Sequence, residues 1–215
     1  GISANMSYIG FEHYTRLFST PAVWRSLLNN LQLVVISLLV QLPLGMVLAL
    51  LINSNRKSMK FLRTVYFMPM LLSTVSTGIL WQLMYDPYFG LINKALHALG
   101  LGRFAQPWLG QSETALIATI FVICWQYTPQ YMILMRAGMT GISEDLYEAA
   151  MIDGAGSVRQ FFSITLPLLS GTIRTSAVLS IVGSLKYFDL IYVMTGGGPN
   201  GATDVLATYM YKRGF

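Results

Sequence analysis

Four apolar stretches, at about residues 27–52, 64–84, 114–135 and 168–194, are each long enough to cross a lipid bilayer. A hydrocarbon layer about 30 Å thick needs about 20 helical residues at about 1.5 Å per residue. In lipid every backbone N–H and C=O must find a partner within the protein, so only helices and closed barrels span it. Barrel strands would alternate apolar and polar residues with period two. These runs instead are apolar nearly all round. Only 11% of the residues are charged and 54% are hydrophobic, against about 25% charged in a soluble domain. The expected fold class is therefore all-α, a polytopic membrane helix bundle with about four spans in this chain.

Pro43, Pro69 and Pro129 lie inside or at the edge of the first three runs. A mid-helix proline removes one hydrogen bond, but in a bundle neighbouring helices and polar side chains satisfy the freed carbonyl. Kinks for packing and kinks that shape a pathway are both consistent with them. Lysine and arginine collect in cytoplasmic loops. Arg56, Lys57, Lys60 and Arg63 cluster in the loop of residues 53–63, which is thereby expected inside. Alternation puts residues 85–113 outside and the loop around Glu148 inside. It places residues 1–26 and 195–215 outside as well. The net charge of +5 reflects this orientation, with no extended basic surface for nucleic acid.

Asp86-Pro87 reads as a turn, and Leu91, Ile92, Ala95, Leu96 and Leu99 make a short amphipathic helix stopped at Gly100. It is expected to lie on the membrane surface or cap the bundle. Trp24, Trp81 and Trp108 fall near predicted span ends, as an aromatic belt requires. The single Cys124 excludes an intrachain disulfide, and His13 and His97 have no companion metal ligands, so no metal site is expected. Residues 196–201 contain G-x-G-x-x-G, but they follow a membrane run and include Pro199, so a tight, pliable outer loop is expected and not a nucleotide site. No recognisable catalytic centre occurs.

Between the third and fourth runs lies a polar interval. Ser143 can cap a helix whose first turn holds Glu144 and Asp145. Leu146, Ala149, Ala150 and Asp153 share one face of it. Gly154 and Gly156 break it, and Ser157-Val158-Arg159-Gln160 has the pattern of a capping box for a second short helix. Pro167 ends that helix or opens the fourth span. The reading is a compact knob, a helix, a glycine hinge and another helix.

Glu148-Ala149-Ala150, three residues, Gly154, nine residues, then Ile164-Thr165-Leu166-Pro167 resembles the cytoplasmic coupling loop of binding-protein-dependent ABC importer permeases. The signature there is EAA, three residues, G, nine residues and I-x-LP. Residues 8–14, Tyr8 to Tyr14, are similar to the F-x-G-x-x-N-Y segment of carbohydrate permeases, with Tyr8 in place of Phe and His13 in place of Asn. Asp189 to Pro199 is similar to their outer loop. Relatives often carry Pro where this chain has Ser143, a change that leaves helix initiation intact. The resemblance favours the sugar branch related to maltose and glycerol-3-phosphate permeases.

That resemblance implies the type I importer transmembrane fold as one domain over residues 1–215, with the coupling loop at about 137–167 and without a first and a last helix of the family. It implies Glu148, Ala149, Ala150, Asp153 and Gly154 as the element that docks on the ATPase. The implied partners are an ATP-binding cassette ATPase dimer, which holds the ATP and magnesium, a second related permease, an extracytoplasmic solute-binding protein and the lipid bilayer. No cofactor is expected on this chain, and the implied location is the bacterial inner membrane, with several passes. The alternatives are a permease for another solute class, or a membrane-embedded enzyme or scaffold.

Trp125, Gln126, Lys186, Tyr187 and Asp189 are candidates for the solute path. An aromatic face and an amide suit a sugar ring, but core packing is the plainer reading of Trp125 and Gln126. Charges at membrane depth face a cavity or each other. Lys186 and Asp189, three apart on one expected helix, can therefore form a structural ion pair or line the path. Ser176, Ser180 and Ser184 form a small-residue stripe for close helix contact.

Overall fold

The computed structural model describes residues 10–52 and 57–214, without the side chains of residues 57–60, 62 and 63. Tyr8, Ile9 and the basic cluster's Arg56 fall outside the described residues, as do the side chains of Lys57, Lys60 and Arg63. In chain order the helices are α1 (Glu12–Ser19), α2 (Pro21–Ile52), α3 (Lys57–Leu71), α4 (Thr74–Met84), α5 (Leu91–Ala98) and α6 (Ala115–Thr140). They continue with α7 (Glu144–Ile152), α8 (Ser157–Gln160), α9 (Leu166–Leu168), α10 (Ser170–Lys186), α11 (Asp189–Thr195) and α12 (Leu206–Gly214). No strand occurs among the described residues.

Four spans were expected. Among the described residues one helix, α2, is long and apolar enough to cross a membrane by itself, or up to three if each interrupted pair counts as one span. α6 has the length, 26 residues, but Gln126, Thr128, Pro129 and Gln130 dilute its apolar character. Pro43, Pro69 and Pro129 all sit inside continuous helices.

The second span, read as residues 64–84, is broken at Leu72–Ser73. Pro69 has no N–H, and its carbonyl accepts a short turn bond from Leu72 N at 3.3 Å. Ser73 adopts extended backbone and its hydroxyl accepts from Ser76 N at 3.1 Å, starting a new helix. The fourth span, read as residues 168–194, also differs. Its helical path begins at Ser157, passes through a π turn at Phe161–Thr165, bends by 66° after Leu168 and stops at Lys186. Phe188, with φ −134° and ψ −61°, leaves helical geometry before α11 begins.

The chain divides into two compact units. The first comprises residues 1–34, 73–123 and 184–215, the second residues 35–72 and 124–183. In the first unit α4 packs along α11. Gln82 Nε2 donates to the carbonyls of Val193 at 2.8 Å and Met194 at 3.1 Å, satisfying the C-terminal end of α11. Trp81 is buried against the rings of Tyr85 and Phe121, so it belongs to the core and not to an interfacial belt. Tyr85 Oη donates to Ala118 O at 3.3 Å, and burial pushes its pKa well above the ordinary phenol value.

The loop after α11 is tied down, contrary to the expectation of a pliable turn. Buried Asn29 donates to Ala202 O and Asp204 O at 3.0 and 2.8 Å. Buried Asn30 donates to Ser184 O at 3.3 Å and accepts from Leu206 N at 2.8 Å. Arg25 reaches Asn200 O at 2.9 Å, and Lys212 pairs with Asp204 at 2.8 Å. These side chains satisfy backbone groups that a buried loop would otherwise leave unpaired.

In the second unit Met46, Ala49, Ile52, Met132, Met135, Met139 and Leu169 form the core, flanked by Leu42, Ile142, Phe161 and Ile173. Helices α2 and α6 cross closely here. A Cβ at Gly45 would lie 2.9 Å from Tyr131 Cβ and 3.0 Å from Met132 N, so only glycine admits this approach. Unbranched methionines fill the irregular space between the helices that carry the polar interval.

Candidate functional site: the coupling knob

Helix α7 forms where the local chemistry directs it. Ser143 is extended (φ −62°, ψ 137°), and its hydroxyl accepts from Asp145 N at 3.3 Å. Glu144 and Asp145 occupy the first turn, next to the positive end of the helix dipole. The helix stops at Gly154, φ +75°, with Gly154 N bonded to Met151 O at 3.0 Å and Ala155 N to Ala150 O at 2.8 Å. This pair of bonds is the Schellman termination, which needs a left-handed residue where glycine carries no Cβ penalty.

The expected capping box at Ser157 is absent. Gly156 is the N-cap of α8, Ser157 lies inside the helix, and Gln160 Nε2 donates back to Ala155 O at 2.9 Å. Gln160 thereby ties α8 to the residue after the glycine stop. Tyr147 Oη and Thr165 Oγ1 lie 2.8 Å apart, joining α7 to the π turn. Phe161 and Phe162 meet edge to face at 5.0 Å between centroids.

Of the predicted docking residues, Glu148, Ala149, Asp153 and Gly154 are exposed and Ala150 is half-buried. Sequence reasoning missed the apolar surface beside them. Met151 is 58% exposed and Ile152 86%, and Val158 and Phe162 are exposed too. No residue of α7 is buried. The hydrophobic pattern of residues 151, 152, 158 and 162 was present, but nothing local distinguishes a core face from an uncovered one. A cleft of ≈ 620 Å³ beside α7 is lined by Glu144, Tyr147, Glu148, Met151, Ser157 and Gln160, together with Leu50, Met139 and Phe161. The arrangement offers acidic and apolar groups together on a rigidly stopped helix.

The solute-path candidates divide between the units. Trp125, half-buried, and Gln126, buried, belong to the second. Gln126 Nε2 donates to Leu72 O at 3.3 Å, the carbonyl freed where α3 ends, while its buried Oε1 has no partner. Lys186, Tyr187 and Asp189 belong to the first unit, with Lys186 and Asp189 exposed. The expected Lys186–Asp189 pair does not form, because the helix breaks at Tyr187–Phe188 and puts the two on different helices. Among the described residues the ion pair is instead Lys212–Asp204. The serine stripe is buried as expected.

The family described as binding-protein-dependent transport system inner membrane component matches residues 41–214. The chain belongs to that family. This permease is 37% identical over 215 residues to the probable ABC transporter permease protein YurN of Bacillus subtilis (99% of this chain, 74% of the relative). It is 36% identical over 205 residues to the trehalose/maltose transport system permease protein MalF of Thermococcus litoralis (95% of this chain, 69% of the relative). Its fold matches a crystal structure of a bacterial ABC transporter involved in the import of the acidic polysaccharide alginate. The TM-score is 0.88 at 30% identity, over 97% of this chain and 73% of the other. The permease thus has the type I importer transmembrane fold, and it is a membrane-embedded transport subunit and not an enzyme.

Proposed function

We propose that residues 1–215 form one transmembrane domain that lines the path of a sugar or sugar-like solute in a bacterial ATP-driven importer, multi-pass in the inner membrane. Relatives that carry trehalose/maltose or alginate in their names support the sugar reading. The observation that carries the coupling reading is α7. It stands with Glu148, Met151 and Ile152 exposed, yet is stopped rigidly at Gly154 and tied to Thr165.

A partner ATPase dimer, holding ATP and magnesium, closes on nucleotide and moves α7 with Glu148, Ala149, Ala150, Asp153 and Gly154 at the contact. The Tyr147–Thr165 bond and the methionine core pass that displacement to α6 and α10 as a rigid body, because close-packed interiors resist compression. The solute path alternates between inward- and outward-open. A second related permease completes the path, and an extracytoplasmic binding protein delivers solute. Trp125, Gln126, Lys186, Tyr187 and Asp189 remain the candidates along the path, and the unpartnered Gln126 Oε1 is the acceptor best suited to a solute hydroxyl.

The test is ATP-dependent uptake by the reconstituted assembly. Glu148→Lys reverses charge at the contact and should abolish sugar uptake while the permease still reaches the membrane. Normal uptake in that variant sinks the coupling assignment, and uptake of no sugar by the native assembly sinks the solute class.

A further inference from the structure

Helix α10 ends at Lys186 and α11 begins at Asp189. Between them Phe188 is non-helical, with φ −134° and ψ −61°. Irregular backbone inside a membrane run is tolerated only where it is buried in protein or lines a water-filled cavity. The break is held on both sides. Asn30 donates to Ser184 O at 3.3 Å, and Phe188 O accepts from Tyr192 N at 2.8 Å as α11 starts. Leu190, Ile191 and Met194 are buried on one face of α11, the helix that packs along α4.

Phe188 and Tyr192, one turn apart, lie on another face. Their rings are nearly parallel, 16° between planes and 5.1 Å between centroids. Tyr211 of α12 stands across both, its centroid 5.2 Å from each, at 58° to Phe188 and 74° to Tyr192. The three rings make a corner, with a parallel pair on one side and a single wall on the other. Tilted and offset ring pairs of this kind gain about 0.5–1.5 kcal/mol beyond area burial, which holds the corner without closing it. Tyr192 stays 40% exposed and Tyr211 42%, whereas Phe188 behind them is half-buried. Asp189 follows Phe188 directly, is exposed, and forms no ion pair among the described residues. A carboxylate at membrane depth is costly unless it faces a cavity or a partner.

We propose that Phe188, Tyr192 and Tyr211 form a subsite that stacks one pyranose ring of the solute. A pyranose whose hydroxyls are mostly equatorial has an apolar face of axial C–H groups and a polar rim. The apolar face matches the face of an aromatic ring. The rim meets the two phenol hydroxyls and the carboxylate of Asp189. Aromatic walls with a few polar groups among them are the usual make-up of a small-molecule site. The helix break supplies the cavity that irregular backbone at this depth requires. Lipid fits less well, because a carboxylate beside the rings disfavours acyl chains and anionic headgroups alike. The inference rests on reading the chain as a sugar permease, and it adds a ring-stacking subsite at the break between α10 and α11.

The experiment uses the permease and its membrane partners reconstituted in nanodiscs, with the binding protein left out so that sugar signals report the membrane part. Saturation-transfer difference NMR is recorded with maltose and with sorbitol, an open-chain polyol that has no ring face. Saturation of the aromatic protons should pass to the axial ring protons of maltose, and several-fold less to sorbitol. Tyr192→Leu and Tyr211→Leu keep apolar bulk and remove the rings. Each should weaken the maltose signal several-fold, and Tyr192→Trp should restore it. Equal signals from maltose and sorbitol, or native signals in both leucine variants, overturn the proposal. A tryptophan variant that regains the native unfolding temperature but not the maltose signal also overturns it, in favour of a packing cluster. Sugar uptake with the binding protein added reports the transport reading separately. Absent uptake with a ring-dependent maltose signal sinks that reading alone, and normal uptake without such a signal sinks the subsite alone.

Discussion

Tyr147 Oη lies 2.8 Å from Thr165 Oγ1, eighteen residues along the chain, and this contact joins the exposed helix α7 to the start of the path toward α10. Thr165 is buried while Tyr147 is half-buried, so the bond crosses from surface to core. Tyr147→Phe removes the hydroxyl and keeps the ring. A lost neutral bond costs about 1 kcal/mol. The expected outcome is a permease that assembles normally and transports several-fold more slowly, with ATP hydrolysis less affected. Measuring uptake and hydrolysis in the same proteoliposomes checks it, and an unchanged ratio removes Tyr147 from the coupling route.

Gly154→Ala should weaken the knob without disrupting the spans. The position has φ +75° with open space around the Cβ site, so the penalty is conformational and not steric crowding. A left-handed L-residue costs about 1–2 kcal/mol. The expected result is partial loss of uptake for alanine, near-native uptake for Gly154→Asn, which tolerates this conformation better, and complete loss for Gly154→Pro. Equal uptake in all three excludes a defined hinge.

Asn30 anchors the loop after α11 by joining Ser184 O and Leu206 N. Asn30→Leu takes the amide partner from one buried and one part-buried backbone group, at about 1–3 kcal/mol for a fully buried one. Thermal unfolding in detergent should move to lower temperature, and proteolysis should appear within residues 196–205. A variant as stable as the native permease means water replaces the amide.

Lys186 and Asp189 should behave independently. They lie on either side of the break at Phe188 and form no ion pair. A double-mutant cycle with Lys186→Met and Asp189→Asn, read in uptake, should give a coupling energy within about 0.5 kcal/mol of zero. A larger coupling restores the pair in some step of transport.

Orientation is checked by labelling. After Cys124 is replaced, Ser58→Cys should be shielded from an impermeant thiol reagent in intact cells and Ala105→Cys labelled. The reverse pattern means the basic stretch at residues 53–63 lies outside.

Ser143 and Gly154 were legible in the sequence because a cap and a Schellman stop depend on residues within six positions. The amphipathic α5 and the buried serine stripe were legible for the same reason, since periodicity is local. Four apolar runs and one spaced signature determined the membrane class and the family. Only the tertiary structure decided where those runs break. Leu72 finds Gln126 fifty-four residues away, and the end of α11 finds Gln82 more than a hundred residues away. Such partners let a helix end inside an apolar stretch without leaving carbonyls unpaired, and no local pattern announces them. Trp81 was misplaced at an interface because its burial depends on Phe121, forty residues on. The sequence alone thus determined which segments are apolar, capped or stopped, since these are properties of neighbouring residues. The tertiary structure decided which polar groups meet across the chain, and so which helices break, which loop is held and which face of the knob stays uncovered.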